Sequence, residues 1–172
     1  MVETPLEILL GPLLTRRGLH LAVAESCTGG LVGHRITNVS GSSEYYLGSV
    51  TAYAYEAKVR LLGVSWDTLQ KYGAVSRETV LEMARGVRTV LNAEIGLSVS
   101  GIAGPGGGLP EKPVGTTWIG LSTADYEQAW HFLWSGDRLE NKELSAEMTL
   151  RLLLDYLNQM PQADKPTELP RK

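Results

Sequence analysis

Seven consecutive residues, Ala24-Glu25-Ser26-Cys27-Thr28-Gly29-Gly30, gather a carboxylate, two hydroxyls and a thiol on a segment that closes with paired glycines. The apolar run Leu19 to Ala24 precedes them and the periodic stretch Leu31 to Ile36 follows, so the segment reads as a strand-to-helix turn. Such a turn exposes a nucleophile beside helix-start N–H groups, which stabilise an anion or a developing oxyanion. Ser26 is the candidate nucleophile for acyl transfer. The competing reading is that Ser26 or Thr28 only caps the helix. Cys27 is a nucleophile if its thiolate is stabilised there, and otherwise a small apolar filler.

A hydroxyl nucleophile needs a base. The three histidines, His20, His34 and His131, fall on separate predicted elements and suggest no Ser-His-Asp arrangement. Lys58 is the remaining base in this layout, and it works only if burial or a neighbouring positive charge lowers its pKa toward neutrality. Its other reading is a solvated charge on a helix. Tyr53 can relay a proton or stack on a flat ring, or else pack in the core. Ser43, within Gly41-Ser42-Ser43, is a second hydroxyl for the same cleft or a plain turn residue. The glycine-rich segment Gly101 to Pro110 can wrap a phosphate with backbone N–H groups, although it matches neither a P-loop nor a dinucleotide fingerprint. Arg138, after Ser135-Gly136-Asp137, offers a guanidinium fork to that phosphate or is an ordinary surface charge. With one cysteine and three unpaired histidines, the chain has no zinc-like spacing and no metal is expected.

The elements that must position these groups follow from periodicity and capping. Leu6, Leu9, Leu10, Leu13 and Leu14 predict a helix over Thr4 to Arg17, with Gly18 just past its end. A buried strand is expected over His20 to Ala24, a helix over Thr28 to Val39, a strand over Tyr46 to Ala54 and a short helix over Ala57 to Leu62. Ser76 is a good N-cap for a helix from Arg77 to Asn92. Strands are expected at Ile95 to Val99, Thr116 to Ser122 and Gln128 to Trp134, and a last helix at Leu139 to Gln159. Alternation followed by a late β-hairpin predicts an α/β fold, a three-layer α/β/α sandwich with a mixed, mostly parallel sheet. In such sheets ligands gather beyond the C-terminal strand ends, where Glu25 to Gly30, Tyr53 to Lys58 and Ser100 to Gly108 emerge.

The 172 residues, 43% of them hydrophobic, suit one domain over 1–160, with a Pro- and charge-rich tail at 161–172 expected to be disordered. A net charge of −3 with dispersed basic residues argues against nucleic acid, though one nucleotide can still bind locally. A single cysteine, no membrane-length apolar run, and Glu3 and Glu7 near the start predict a cytoplasmic protein with no membrane partner.

Several strings occur together and in order: Ala24 to Gly30, Tyr53 with Lys58, Gly73-Ala74-Val75-Ser76, Ser100-Gly101-Ile102-Ala103-Gly104-Pro105, Lys112-Pro113-Val114-Gly115-Thr116 and Gly136-Asp137-Arg138. Over residues 5 to 157 this set resembles the C-terminal domain of the competence/damage-inducible protein CinA, the family of nicotinamide-nucleotide amidohydrolases. The resemblance implies hydrolysis of the carboxamide of nicotinamide mononucleotide to nicotinate mononucleotide and ammonia, in pyridine-nucleotide recycling. It implies no cofactor, a small-molecule partner and a homo-oligomer. Carried over residue by residue, the motif serine is Ser26, the strand-end tyrosine Tyr53 and the lysine Lys58, with Ser43 as rival nucleophile or second hydroxyl. The substrate-binding wall would comprise Glu25, Cys27, Thr28, Gly29, Gly30, Ser100, Gly101, Ala103, Gly104, Pro105, Gly106, Gly107 and Arg138. The sequence departs from the family pattern at Tyr55, where asparagine is common, and at Ser49, where glycine is frequent. Those departures motivate the alternative of a non-catalytic nucleotide-binding module of the same fold. Larger members carry an N-terminal molybdopterin-binding-like domain credited with pyrophosphatase activity, which is not expected of these residues.

Overall fold

A computed structural model describes residues 4–161. The chain runs α1 (Leu6–Arg17), β1 (Leu21–Glu25), α2 (Leu31–Thr37), a 3-10 turn (Ser42–Glu44), β2 (Tyr46–Thr51), α3 (Tyr55–Leu62), α4 (Trp66–Tyr72), α5 (Arg77–Val90), β3 (Ile95–Gly101), β4 (Thr116–Ser122), β5 (Glu127–Leu133) and α6 (Arg138–Gln159). The sheet order is β2-β1-β3-β4-β5. The β2, β1 and β3 strands are parallel, β4 runs against β3 and β5 against β4, so every strand but β4 points the same way. Helices α1, α2 and α6 cover one face and α3, α4 and α5 the other, giving the expected three-layer α/β/α sandwich.

The two faces have different depths because the strand sequences alternate in size. On β3, Ile95, Leu97 and Val99 enter a core with Leu10 and Leu14 of α1, Ile36 of α2, and Leu150 and Leu153 of α6. Between them Gly96 and Ser98 face α5, as do Gly120 and Ser122 of β4. A Cβ on Gly96 would stand 2.1 Å from the Ala84 carbonyl oxygen of α5, and one on Gly120 would stand 2.7 Å from that of Val80. Ser98 donates its hydroxyl to the Val80 carbonyl at 2.6 Å. Small residues thus seat α5 directly on the sheet, where Met83 and Val87 pack with Ala22, Ala24, Leu62 and Leu69.

Most element ends fall within two residues of the sequence expectation, and three segments differ by more. α2 begins at Leu31 rather than Thr28, because Gly29 and Gly30 take left-handed conformations at φ 63° and 102°. β2 stops at Thr51, opposite the last residue of β1, rather than at Ala54. α4 was not anticipated: only Leu69 of its seven residues is buried, so it carries almost no periodic signal, although Ser65 caps it by accepting from Thr68 N–H at 3.0 Å. The expected tail, from residue 162 onward, lies outside the described residues. No helix among the described residues is long and apolar enough to cross a membrane.

Candidate active site

Parallel register brings the C-terminal ends of β2, β1 and β3 together, and three strand exits meet there. Ser26 follows β1 directly, its N–H donating to the Val99 carbonyl of β3 at 3.0 Å. Lys58 enters from α3, one turn before Leu62, and is fully buried although it is a lysine. Its Nζ donates to Ser26 Oγ at 2.9 Å, to the Ala52 carbonyl at 2.7 Å and to the Tyr53 carbonyl at 3.1 Å. Those two carbonyls explain where β2 ends: they turn to the lysine instead of continuing the ladder. The solvated-charge reading of Lys58 is therefore overturned. Burial pushes its amine down from 10.5 to about 8, because the charged form is poorly solvated there.

Both carbonyls accept only, so each takes an N–H, and the third position of the amine faces the serine hydroxyl. A neutral Lys58 therefore aims its lone pair at Ser26 O–H, the geometry of a general base on a nucleophile.

Glu25 has a different place from the one expected. Its side chain is fully buried on the α2 side of the turn, away from the cleft. Oε2 accepts from Thr28 Oγ1 at 2.7 Å, Gly30 N–H at 3.0 Å and Val32 N–H at 3.0 Å, while Oε1 accepts from Gly33 N–H at 2.9 Å. Glu25 is thus the cap of α2, which frees Ser26 from that duty and settles the cap reading of Ser26 and Thr28 against both. The helix-start N–H groups expected to face an oxyanion are spent on this carboxylate. The N–H groups of Cys27 and Thr28 have no oxygen acceptor at the turn and lie against the Cys27 sulfur. In Glu25→Gln an amide oxygen placed where Oε2 stands keeps three donors, sets an NH2 group against the buried Gly33 N–H, and takes the negative charge from the bonds that survive. Chemical denaturation is expected to show a loss of about 3 kcal/mol.

Cys27 is buried between the turn and β4, and burial pushes its thiol up to about 12, so the filler reading holds. Gly101 allows this: a Cβ there would stand 3.1 Å from Cys27 Sγ and 2.6 Å from Thr117 Oγ1. Tyr53 is 60% exposed rather than core, and its hydroxyl accepts from Arg138 Nη2 at 3.0 Å. Arg138 also donates from Nη1 to the Gly104 carbonyl at 2.7 Å, so its fork joins the β2 exit to the glycine loop. Ser100 donates to the Ala74 carbonyl at 2.8 Å, and the Ala103 carbonyl accepts from Asn141 Nδ2 at 3.0 Å. Within the glycine loop, Ser100, Ala103 and Gly104 are held by protein partners, while Pro105, Gly106 and Gly107 form its exposed tip. Gly29 is exposed and Gly30 half-buried on the opposite wall.

Ser43 does not join this site. The β1–β2 register pairs Leu21 with Tyr46, so Ser43 precedes β2 at the opposite end of the sheet, about 15 Å from Ser26 by strand length. Neither departure from the family pattern touches the dyad. Tyr55 opens α3 and its hydroxyl accepts from Ala74 N–H at 3.2 Å, while Ser49 lies on the α2 side of β2 beside Tyr46 and Gly33. Asn141, which also accepts from Gly136 N–H, was not anticipated, nor was Lys142 beside Gly29. Both follow Arg138 at helical spacing, a signal readable only once the start of α6 is known. Among the described residues no group of three His, Cys, Asp or Glu is placed to hold a metal ion.

The sequence and the fold are similar to those of known proteins. The chain is 51% identical over 156 residues to a putative competence-damage inducible protein of Halothermothrix orenii, covering 90% of this chain and 38% of that one. It is 52% identical over 149 residues to a CinA-like protein of Desulfosudis oleivorans, covering 86% and 36%. The chain therefore spans little more than a third of the length of these curated relatives. Among solved structures, a competence or damage-inducible protein from Enterobacter asburiae superposes with a TM-score of 0.87 at 34% identity, over 90% of this chain and 99% of that one. The competence/damage inducible protein CihA from Agrobacterium tumefaciens gives 0.86 at 35% identity, over 92% and 100%. The model of the CinA C-terminal domain matches residues 3–157, which contain every group of the site, and the chain belongs to that family.

Proposed function

We propose that this domain hydrolyses the carboxamide of nicotinamide mononucleotide, releasing ammonia and nicotinate mononucleotide. The observation that carries the reading is the buried 2.9 Å contact between Ser26 Oγ and Lys58 Nζ, with the amine's two other bonds fixed on carbonyls. Neutral Lys58 takes the Ser26 proton as Oγ attacks the carboxamide carbon. The tetrahedral oxyanion lies against the N–H groups of Cys27 and Thr28. Protonated Lys58 then gives its proton to the amide nitrogen; the oxyanion collapses, the C–N bond breaks, ammonia leaves and the acyl group remains on Ser26 as an ester. Water, deprotonated by Lys58, cleaves the ester to the acid and restores Ser26. Tyr53, Arg138 and the exposed tip of the glycine loop supply one wall of the cleft that takes the nucleotide.

The test is ammonia release from nicotinamide mononucleotide by purified protein, with the product acid identified by mass spectrometry. Silence at high enzyme concentration would overturn the reading. Ser43→Ala is expected to keep turnover within about twofold, since it lies at the far end of the sheet.

A further inference from the structure

One side of α6 carries four polar residues at helical spacing, Arg138, Asn141, Lys142 and Ser145. Three have protein partners. Arg138 is bonded to Gly104 and Tyr53, Asn141 to Ala103 and Gly136, and Ser145 accepts from Trp134 Nε1 at 3.0 Å while donating to the Asn141 carbonyl. Lys142 is the exception: it is half-buried and forms no hydrogen bond or ion pair among the described residues.

Its ammonium stands 3.8 Å from where a Cβ on Gly29 would be, against the bare backbone of the turn that carries Ser26. Gly29 N–H donates to the Ser26 carbonyl, so one tight turn separates the lysine's neighbour from the nucleophile, under about 7 Å between Cα atoms. Beside it opens a cavity of about 380 Å³ lined by Thr28, Gly29, Gly30, His34, Lys142 and the exposed Glu143, among others. The backbone donors of this wall are taken up by the protein's own groups. Gly30 N–H is taken by Glu25, and Asp137 takes the N–H groups of Leu139 and Glu140 in α6. A half-buried cation that makes no ion pair, next to a turn with no side chain, is a place for an anionic substituent of a molecule whose other end reaches Ser26.

We propose that Lys142 reads the phosphate of the nucleotide substrate and so separates the mononucleotide from its nucleoside; this rests on the substrate reading above. The experiment is calorimetry of nicotinamide mononucleotide and of nicotinamide riboside with the Ser26→Ala protein, alone and combined with Lys142→Gln or Lys142→Arg, each checked by thermal melting. Lys142→Gln is expected to weaken mononucleotide binding at least ~10-fold, leave riboside binding within about twofold, and be rescued by Lys142→Arg. Equal weakening of both ligands, or no change in either, would overturn the assignment. Phosphate-dependent binding without ammonia release from the wild-type protein would remove the hydrolase reading and keep Lys142. Failure of the mononucleotide to bind the Ser26→Ala protein would remove both.

Discussion

Lys58→Arg is expected to lower turnover of nicotinamide mononucleotide at least ~1000-fold, as far as Ser26→Ala does, while the protein still folds and melts cooperatively. The arginine keeps a positive charge and ample N–H donors for the Ala52 and Tyr53 carbonyls, but it cannot lose a proton near neutral pH and so offers Ser26 no lone pair. Combining it with Ser26→Ala should cost little more than either change alone, because the two residues act as one unit. If Lys58→Arg keeps substantial activity, Lys58 is a fixed charge and the base lies elsewhere.

The same chemistry fixes a pH profile. Burial lowers the Lys58 amine from 10.5 to about 8, and only the neutral form accepts the Ser26 proton. The kcat/KM of the wild-type protein should therefore climb about tenfold per pH unit up to pH 7 and level off above about 8. Linkage gives the sign of the stability effect. Between about pH 8 and 10.5 the unfolded lysine holds a proton that the folded one has released, so stability rises with pH through that window. The cost, about 3 kcal/mol from this group, is fully present below pH 8. Lys58→Met abolishes this dependence, so subtracting its pH–stability curve from the wild type isolates the lysine.

How much of this was written legibly in the sequence depends on how local each signal is. The Ala24 to Gly30 turn shows itself because an apolar run ends on hydroxyls and glycines. Its partnership with Lys58 was within reach because strands joined through one helix pair in parallel and share an edge. Glu25 was misplaced because its four partners are mostly backbone N–H groups, which have no identity in a sequence. Ser43 was misplaced because a parallel strand pair puts the start of β2 at the far end of the sheet from its exit, and only the register shows this. Lys142 became visible once α6 had a fixed first residue and a fixed neighbour in Gly29. The depressed amine of Lys58 is a property of packing around it, which no local pattern contains.

That packing leaves no room for a side chain where α5 meets α3. Gly86 lies in α5 where it crosses the end of α3, and a Cβ there would stand 1.9 Å from the Leu62 carbonyl oxygen and 3.0 Å from Leu62 Cα. The obstacle is backbone, so no side-chain rotation relieves it and one helix must move. Alanine favours a helix over glycine by about 1 kcal/mol, whereas forcing apart a packed contact this close costs several times that, so Gly86→Ala is expected to destabilise the fold by about 3 kcal/mol. The consequence extends to chemistry, because Leu62 and Lys58 are one turn apart on the same buried face of α3. Pushing α3 outward draws Nζ away from Ser26 Oγ, and a displacement near 1 Å at a reacting pair lowers turnover ~100-fold. Denaturation and steady-state kinetics on Gly86→Ala check both halves. A variant that loses stability but keeps full turnover would show that the Ala52 and Tyr53 carbonyls, rather than the depth of α3, hold the lysine in place.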